Sequence, residues 1–304
     1  MFMTLPSTTE PAPCLPPRMA HPPQALRLPH GAWDTHAHVI VGDTSHPFVS
    51  QRTYTPPPVS ADDYIAMLDA VGLEYGVLIQ ISVHGVDNGP IIQALQRHPL
   101  RLRGVGAIDG SESDEALRRL RDAGICGVRV NELFGGGSSA DQLQRIADRC
   151  RPLGWHVDLA LHGHRLRELA PVLRGLNVRL VIDHMGWCRA AQGVTHPDFQ
   201  AVLDLARMDN CWTKLSGAYR VSSQPAPFDD VAPFVQALVR AAPERTIWGS
   251  DWPHVAITDP TRVPEPGMLL DALQRHLDDP AQLQAVLVDN PLRLFGQPGT
   301  PVDG

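Results

Sequence analysis

The sequence predicts an α/β fold, a single-domain (β/α)8 barrel of the TIM type. Three observations lead there. From Gly31 onward, short β-branched runs alternate with longer stretches of helical period, which implies a parallel sheet. Eight such strand–helix units fit into about 265 residues, the span a barrel of this kind needs. No glycine-rich phosphate loop follows the first strand, which removes the main support for the runner-up, an open doubly wound sheet.

The strands are read, in order, at "WDTHAHVI" (33–40), "GVLIQIS" (76–82), "LRGVGAI" (102–108), "GVRV" (127–130), "HVDLAL" (156–161), "VRLVIDH" (178–184), "CWTKLS" (211–216) and "TIWGSD" (246–251). Helices fall between them. "SADDYIAMLDAVG" opens with Ser60 as N-cap and two acids in its first turn, and stops at Gly72. "SDEALRRLRDAG" repeats that design from Ser113 to Gly124. "SSADQLQRIADRCRPLG", "HPDFQAVLDLARM", "FDDVAPFVQALVRAAP" and "MLLDALQRHL" carry the same period, and Asn290-Pro291 starts a short closing helix. "FGGGSS" (134–139) reads as a flexible connector.

Residues 31–296 are the predicted barrel, residues 1–30 a proline-rich and poorly ordered arm, and residues 297–304 a short tail. Alternatively the arm wraps a neighbouring subunit of a homo-oligomer. Hydrophobic residues are 43% of the chain and charged residues 19%, enough for a large core. The formal charge of −7 lacks the basic footprint that nucleic acid requires. No run reaches the ~20 apolar residues of a membrane helix. Five cysteines, odd in number and without a CxxC pair, read as reduced in a cytoplasmic protein.

Polar residues gather where the strands run out, the end at which barrels of this type carry their chemistry. These are Asp34, His36 and His38; Ser82 and His84; Arg129, Asn131 and Glu132; His162 and His164; Asp183 and His184; Lys214, Ser216, Tyr219 and Arg220; and Asp251. Residues two apart on a strand share a face, so His36 and His38 both point inward. With His184 and Asp251 they form a set of three imidazoles and one carboxylate. Burying such groups without a use is costly.

The motifs "DTHAH", "DHMG" and "GSDWPH", in that order at three strand ends, resemble the amidohydrolase superfamily. The closer resemblance is to the group holding 2-pyrone-4,6-dicarboxylate lactonase and the sugar-acid lactonases. It is carried further by "YTPP", "HGVDN", "GVRVN", "LGWHV" and "VDNPLRLFG", and covers Gly31 to Gly296. It implies a (β/α)8 fold, hydrolysis of a cyclic ester, and substrate contacts at Tyr54 and His84. One departure stands out. A basic residue that follows the strand-four arginine in the dicarboxylate lactonase is replaced here by "NELFGGGSS". That segment and "KLSGAYRVSSQP" look more like a galactarolactone isomerase, which however lacks the first-strand histidine and the strand-eight aspartate kept here.

The residues support the same chemistry. Asp251, an aspartate with an ordinary pKa of about 3.9, is a general base for water, weak unless burial raises it. His36, His38 and His184 are placed to donate hydrogen bonds to the carbonyl oxygen as it gains charge. Arg129 and Arg220 suit carboxylate recognition, and His162 is a further contact candidate. The expected partner is a small anionic lactone. The same His36, His38, His184 and Asp251 equally suit one divalent ion such as zinc. Metal-independence, which the resemblance implies, is the favoured reading, and a binuclear site is excluded by the absence of a strand-five lysine. The alternatives are a mononuclear metal-dependent decarboxylase and a lactone isomerase; a silent ligand-binding barrel is disfavoured by the intact polar set. Trp248 and Trp252 read as pocket wall or core, His254 as support for Asp251, and Cys188 as structural.

Overall fold

The computed structural model describes residues 10–302; the first nine residues of the predicted arm and the last two of the tail lie outside the described residues. Eight parallel strands form one sheet in chain order: β1 (Trp33–Ala37), β2 (Tyr75–Ile79), β3 (Leu102–Gly106), β4 (Ile125–Asn131), β5 (His156–Ala160), β6 (Arg179–Ile182), β7 (Cys211–Lys214) and β8 (Thr246–Ile247). Main-chain bonds close the ring: Thr35 N–H donates to Trp248 O at 3.1 Å, Asp251 N–H to His36 O at 2.8 Å, and His38 N–H to Trp252 O at 2.9 Å. The predicted (β/α)8 barrel is the observed fold.

Helices α1 (Ala61–Val71), α2 (Gly89–Arg97), α3 (Asp114–Asp122), α4 (Leu143–Cys150), α5 (Gly163–Gly175) and α6 (Pro197–Ala206) each return the chain to the next strand. The short α7 (Ala218–Val221) and α8 (Ala232–Ala241) share the β7–β8 return, and α9 (Pro266–His276), α10 (Pro280–Gln284) and α11 (Asn290–Phe295) follow β8. Ser60 caps α1 in a reciprocal capping box with Asp63, and Gly72 ends it at φ 87°. Ser113 accepts from Ala116 N–H to cap α3. Helices α2 and α5 lack the capping signals that mark α1 and α3 in the sequence. Neither has a side-chain cap, Pro90 opens α2, and Pro171 interrupts the pattern of α5. Among the described residues, no helix is long and apolar enough to cross a membrane.

The barrel interior is layered. At its floor Trp33, Val77, Val105, Cys126, Val181, Trp212 and Ile247 pack with Leu294 and Phe295 of α11, the predicted closing helix. Above that floor the interior turns polar. The change of direction on β1 has a local cause: Trp33, Asp34 and Ala37 face Tyr75, Gly76 and Leu78 of β2, so β1 holds one extra residue. This bulge resets the alternation. Trp33 therefore joins the floor while His36 and His38 face the axis higher up. Asp34 clamps β1 to the chain after β8, accepting from Ser250 N–H at 2.7 Å and Ser250 Oγ–H at 2.6 Å.

The described part of the proline-rich arm lies along the barrel. Asp271 of α9 accepts backbone N–H groups of Gln24, Ala25 and Leu26, Glu265 accepts that of His21, and Cys14 N–H donates to Thr55 O. These partners lie far away in sequence, so the arm's own composition does not reveal them.

Candidate active site

The four-residue set converges. Asp251 Oδ1 lies 3.8 Å from His36 Nε2, 3.8 Å from His38 Nε2 and 3.9 Å from His184 Nε2. All four side chains are buried. Two of them depend on unusual backbone. His184, Met185, Gly186 and Trp187 lie successively in the left-handed region, and Asp251 has φ 62°. Non-glycine residues take this region rarely, and usually where the surroundings impose it. Here it turns His184 and Trp187 back over the axis. Gly217 leaves room for the result, since a Cβ there would stand 2.9 Å from His184 Nδ1.

Each ring is held from behind. His38 Nδ1 is 2.7 Å from Ile79 O, and His184 Nδ1 is 2.8 Å from Ser216 Oγ. His36 Nδ1 is 3.4 Å from Lys214 Nζ and 3.4 Å from Asp183 Oδ1. Asp251 is held through its other oxygen: Tyr219 Oη–H donates to Oδ2 at 2.6 Å and Arg220 Nε–H at 2.5 Å. His254 braces this arrangement, with its N–H on Asp251 O at 2.9 Å and its ring edge-on to Tyr219.

Below the imidazoles is an ionic layer. Lys214 Nζ lies 2.5 Å from Asp158 Oδ2 and 3.1 Å from Asp183 Oδ1, while Arg129 Nε lies 3.2 Å from Asp183 Oδ2. Lys214, Asp158 and Asp183 are wholly inaccessible to solvent. Burial alone would discharge the lysine, but the two carboxylates outweigh it and hold its pKa above the ordinary value. Asp183 goes the other way: burial raises it, yet the charges of Lys214 and Arg129 keep it well below the carboxylate range.

The same competition acts on the reactive groups. Burial pushes His38 and His184 down to about 4, and puts His36 well below its ordinary value, so all three are neutral at neutral pH. Burial would raise Asp251, but the Arg220 guanidinium leads the effects that hold it well below the usual range. The sequence leaves open whether burial makes this base stronger. The structure answers that Arg220 prevents it.

The predicted binding residues divide. Arg129 and Arg220, read as carboxylate clamps, both have internal carboxylate partners. Arg220 also stacks on Trp187, and it lines a cavity of about 400 Å³ with Trp187, Tyr219, Ile257 and Arg262. Tyr54 reaches the site through rings, Tyr54 on Phe134 at 5.2 Å and Phe134 on Trp187 at 6.1 Å, and Trp187 meets His184 at 5.6 Å. His162 is edge-on to the same Trp187 and stacked on His164. His84 is tied elsewhere: its ring packs on Phe48 and its Nε2 accepts Val41 N–H at 3.3 Å. Trp252 stacks on Tyr64, which makes it core. Burial pushes the Cys188 thiol up to about 12, so it carries no thiolate. Sequence reasoning passed over Asp158 and Trp187, and gave Lys214 no role. A lysine inside the buried run "CWTKLS" was the available signal for the ionic layer.

Residues 33–297 match the amidohydrolase family, and the chain belongs to it. It is 39% identical over 287 residues to a 4-sulfomuconolactone hydrolase of Rhizobium radiobacter, an alignment covering 93% of this chain and 96% of that protein. It is 35% identical over 282 residues to a 2-pyrone-4,6-dicarboxylate hydrolase of Comamonas testosteroni, covering 89% and 92%. An apo crystal structure from Agrobacterium tumefaciens superimposes with TM-score 0.78 at 28% identity, over 90% of this chain and 98% of that one. The resemblance drawn from the strand-end motifs holds.

Proposed function

We propose that this protein hydrolyses a cyclic ester, a carboxylated or sugar-acid lactone. The observation that carries the reading is one carboxylate oxygen, Asp251 Oδ1, faced by three Nε2 atoms at 3.8–3.9 Å, all four side chains being buried. The names of the similar proteins, both lactone hydrolases, support it.

Water held against Asp251 adds to the lactone carbonyl and gives up a proton to Oδ1. The carbonyl oxygen becomes an oxyanion, which an N–H from the imidazole set stabilises; one such donor is typically worth roughly 3–4 kcal/mol of barrier. Collapse breaks the ring C–O bond. Asp251 returns the proton to the departing oxygen, so lactone and water give a hydroxy acid. A substrate anion at Arg220 would compete with Asp251 for the guanidinium and so raise the basicity of Asp251 as substrate binds. Arg129, Tyr54 and His162 complete the proposed binding surface; His84, held by Phe48 and Val41, is left out of it.

A metal is the second possibility the donor set admits. His36, His184 and Asp251 offer ligand atoms within 4.8 Å of one another, and His38 Nε2 is a fourth. His36 would ligate with its proton on Nδ1, toward Asp183. One divalent ion such as Zn²⁺ would polarise the carbonyl and acidify water. Our reading requires no metal: an imidazole N–H polarises the carbonyl and Asp251 Oδ1 takes the proton from water. The five cysteines are unpaired, which supports a cytoplasmic location.

A pH-indicator assay across a panel of lactones tests the activity. Acid release with carboxylated lactones, well above that with their methyl esters, is expected. Silence across the panel, or decarboxylation or isomerisation without acid release, overturns it. Metal content after purification without added ions, with activity after chelation, separates the metal-free and zinc forms.

A further inference from the structure

The sequence treats the three imidazoles as equivalent donors to the carbonyl. Their surroundings make them different. A backbone carbonyl can only accept, so the 2.7 Å contact of His38 Nδ1 with Ile79 O places the proton of His38 on Nδ1. Its Nε2, facing the reaction centre, is then a bare acceptor. His36 is in the opposite position. An ammonium can only donate, and Lys214 has three protons and three acceptors in reach: Asp158 Oδ2, Asp183 Oδ1 and His36 Nδ1. Lys214 lies in hydrogen-bond geometry with His36 Nδ1 at 3.4 Å, and Asp183 Oδ1 stands at the same distance as the competing acceptor for an Nδ1 proton. The two oxygens of Asp183 each already face a cation, Lys214 and Arg129. His36 therefore carries its proton on Nε2, and that atom is buried, without a hydrogen-bond partner, and aimed at the centre. Behind His184 stands the Ser216 hydroxyl, which can donate or accept.

We propose that the imidazoles divide the work by tautomer: Lys214 fixes His36 as proton donor to the lactone carbonyl oxygen, Ile79 O fixes His38 as proton acceptor for the attacking water, and Ser216 lets His184 take either part. The division rests on the lactone-hydrolase reading for its substrate, but the tautomers do not. The 3.8 Å between Asp251 Oδ1 and His38 Nε2 is a separation one water spans, one O–H to each. That water attacks along the direction the two acceptors set. Its proton on the Asp251 side transfers to Oδ1, and the other stays on oxygen, hydrogen-bonded to His38. The oxyanion forms against His36 Nε2–H. Lys214 is a positioning residue: it touches no substrate and acts through the proton of His36.

Nitrogen-15 NMR of the purified full chain tests this without substrate, since a protonated ring nitrogen is told from a bare one by its shift and its one-bond proton coupling. Single His36→Gln and His38→Gln variants assign the signals. The expected result is a proton on Nε2 of His36 and on Nδ1 of His38. His36 protonated on Nδ1, or His38 on Nε2, overturns the proposal. The charge-balanced pair Lys214→Met/Asp158→Asn should move the His36 proton to Nδ1, toward Asp183, and lower kcat about 100-fold with little change in KM. An unmoved proton in that variant removes Lys214 from the role; if the pair does not fold, the wild-type spectrum still decides. A protein showing these tautomers that hydrolyses no lactone would refute the proposed function and leave the proton placement standing.

Discussion

The guanidinium of Arg220 donates from Nε to Asp251 Oδ2 at 2.5 Å, which leaves Oδ1 as the oxygen that faces the three imidazoles. One carboxylate thus has a structural side and a reactive side. Arg220 keeps the acid ionised and correctly turned, at the expense of its strength as a base.

Arg220→Gln should therefore shift the pH dependence. Burial raises the pKa of Asp251 and Arg220 leads the effects that lower it, so removing the arginine lets burial act. The reaction needs the carboxylate. The acid limb of kcat/KM should move to higher pH, and an unmoved limb would show that Arg220 does not set the acidity of Asp251.

Asp251→Asn should fold normally and lose at least ~100-fold in kcat, the usual scale for a general base. Turnover at the wild-type rate would contradict its assignment.

Arg129→Met should raise KM for anionic lactones while leaving KM for neutral ones nearly unchanged. It should also lower the melting temperature, because Arg129 is one of the two cations facing the buried Asp183 carboxylate. Equal KM values for anionic lactones in both proteins would confine Arg129 to the ionic layer.

Stability should fall as acid is added. The folded-state pKa of His38 and of His184 is about 4, below the ordinary 6.5. The folded protein favours the neutral rings, so their contribution is complete above the ordinary value and is lost as pH falls from there toward about 4. Denaturant midpoints measured across that interval should decline, and less steeply in His38→Gln. A flat profile would mean that these rings are not buried neutral.

Much of this architecture was legible in the residues. The eight strands stood out as β-branched runs closed by polar groups, and Ser60 with Gly72 marked the limits of α1. The inward pair His36 and His38 was read from alternation alone, although a bulge at Asp34–Ala37 is what makes it consistent with Trp33 in the floor. What alternation cannot show is pairing between strands. Lys214 meets Asp158 across 56 residues, and only closing the barrel brings β5 and β7 side chains together on its axis. The arginines illustrate the same limit: an anion clamp and an internal ion pair call for the same side chain. Trp187 was missed because non-glycine residues at positive φ have no sequence mark, and its place over the site depends on that turn.

The most direct test of the account is a crystal structure of the Asp251→Asn variant soaked with a carboxylated lactone. The lactone carbonyl oxygen is expected within hydrogen-bonding distance of His36 Nε2, its carboxylate beside Arg220 or Arg129, and a water between residue 251 and His38. A lactone whose carbonyl lies away from all three imidazoles would contradict it.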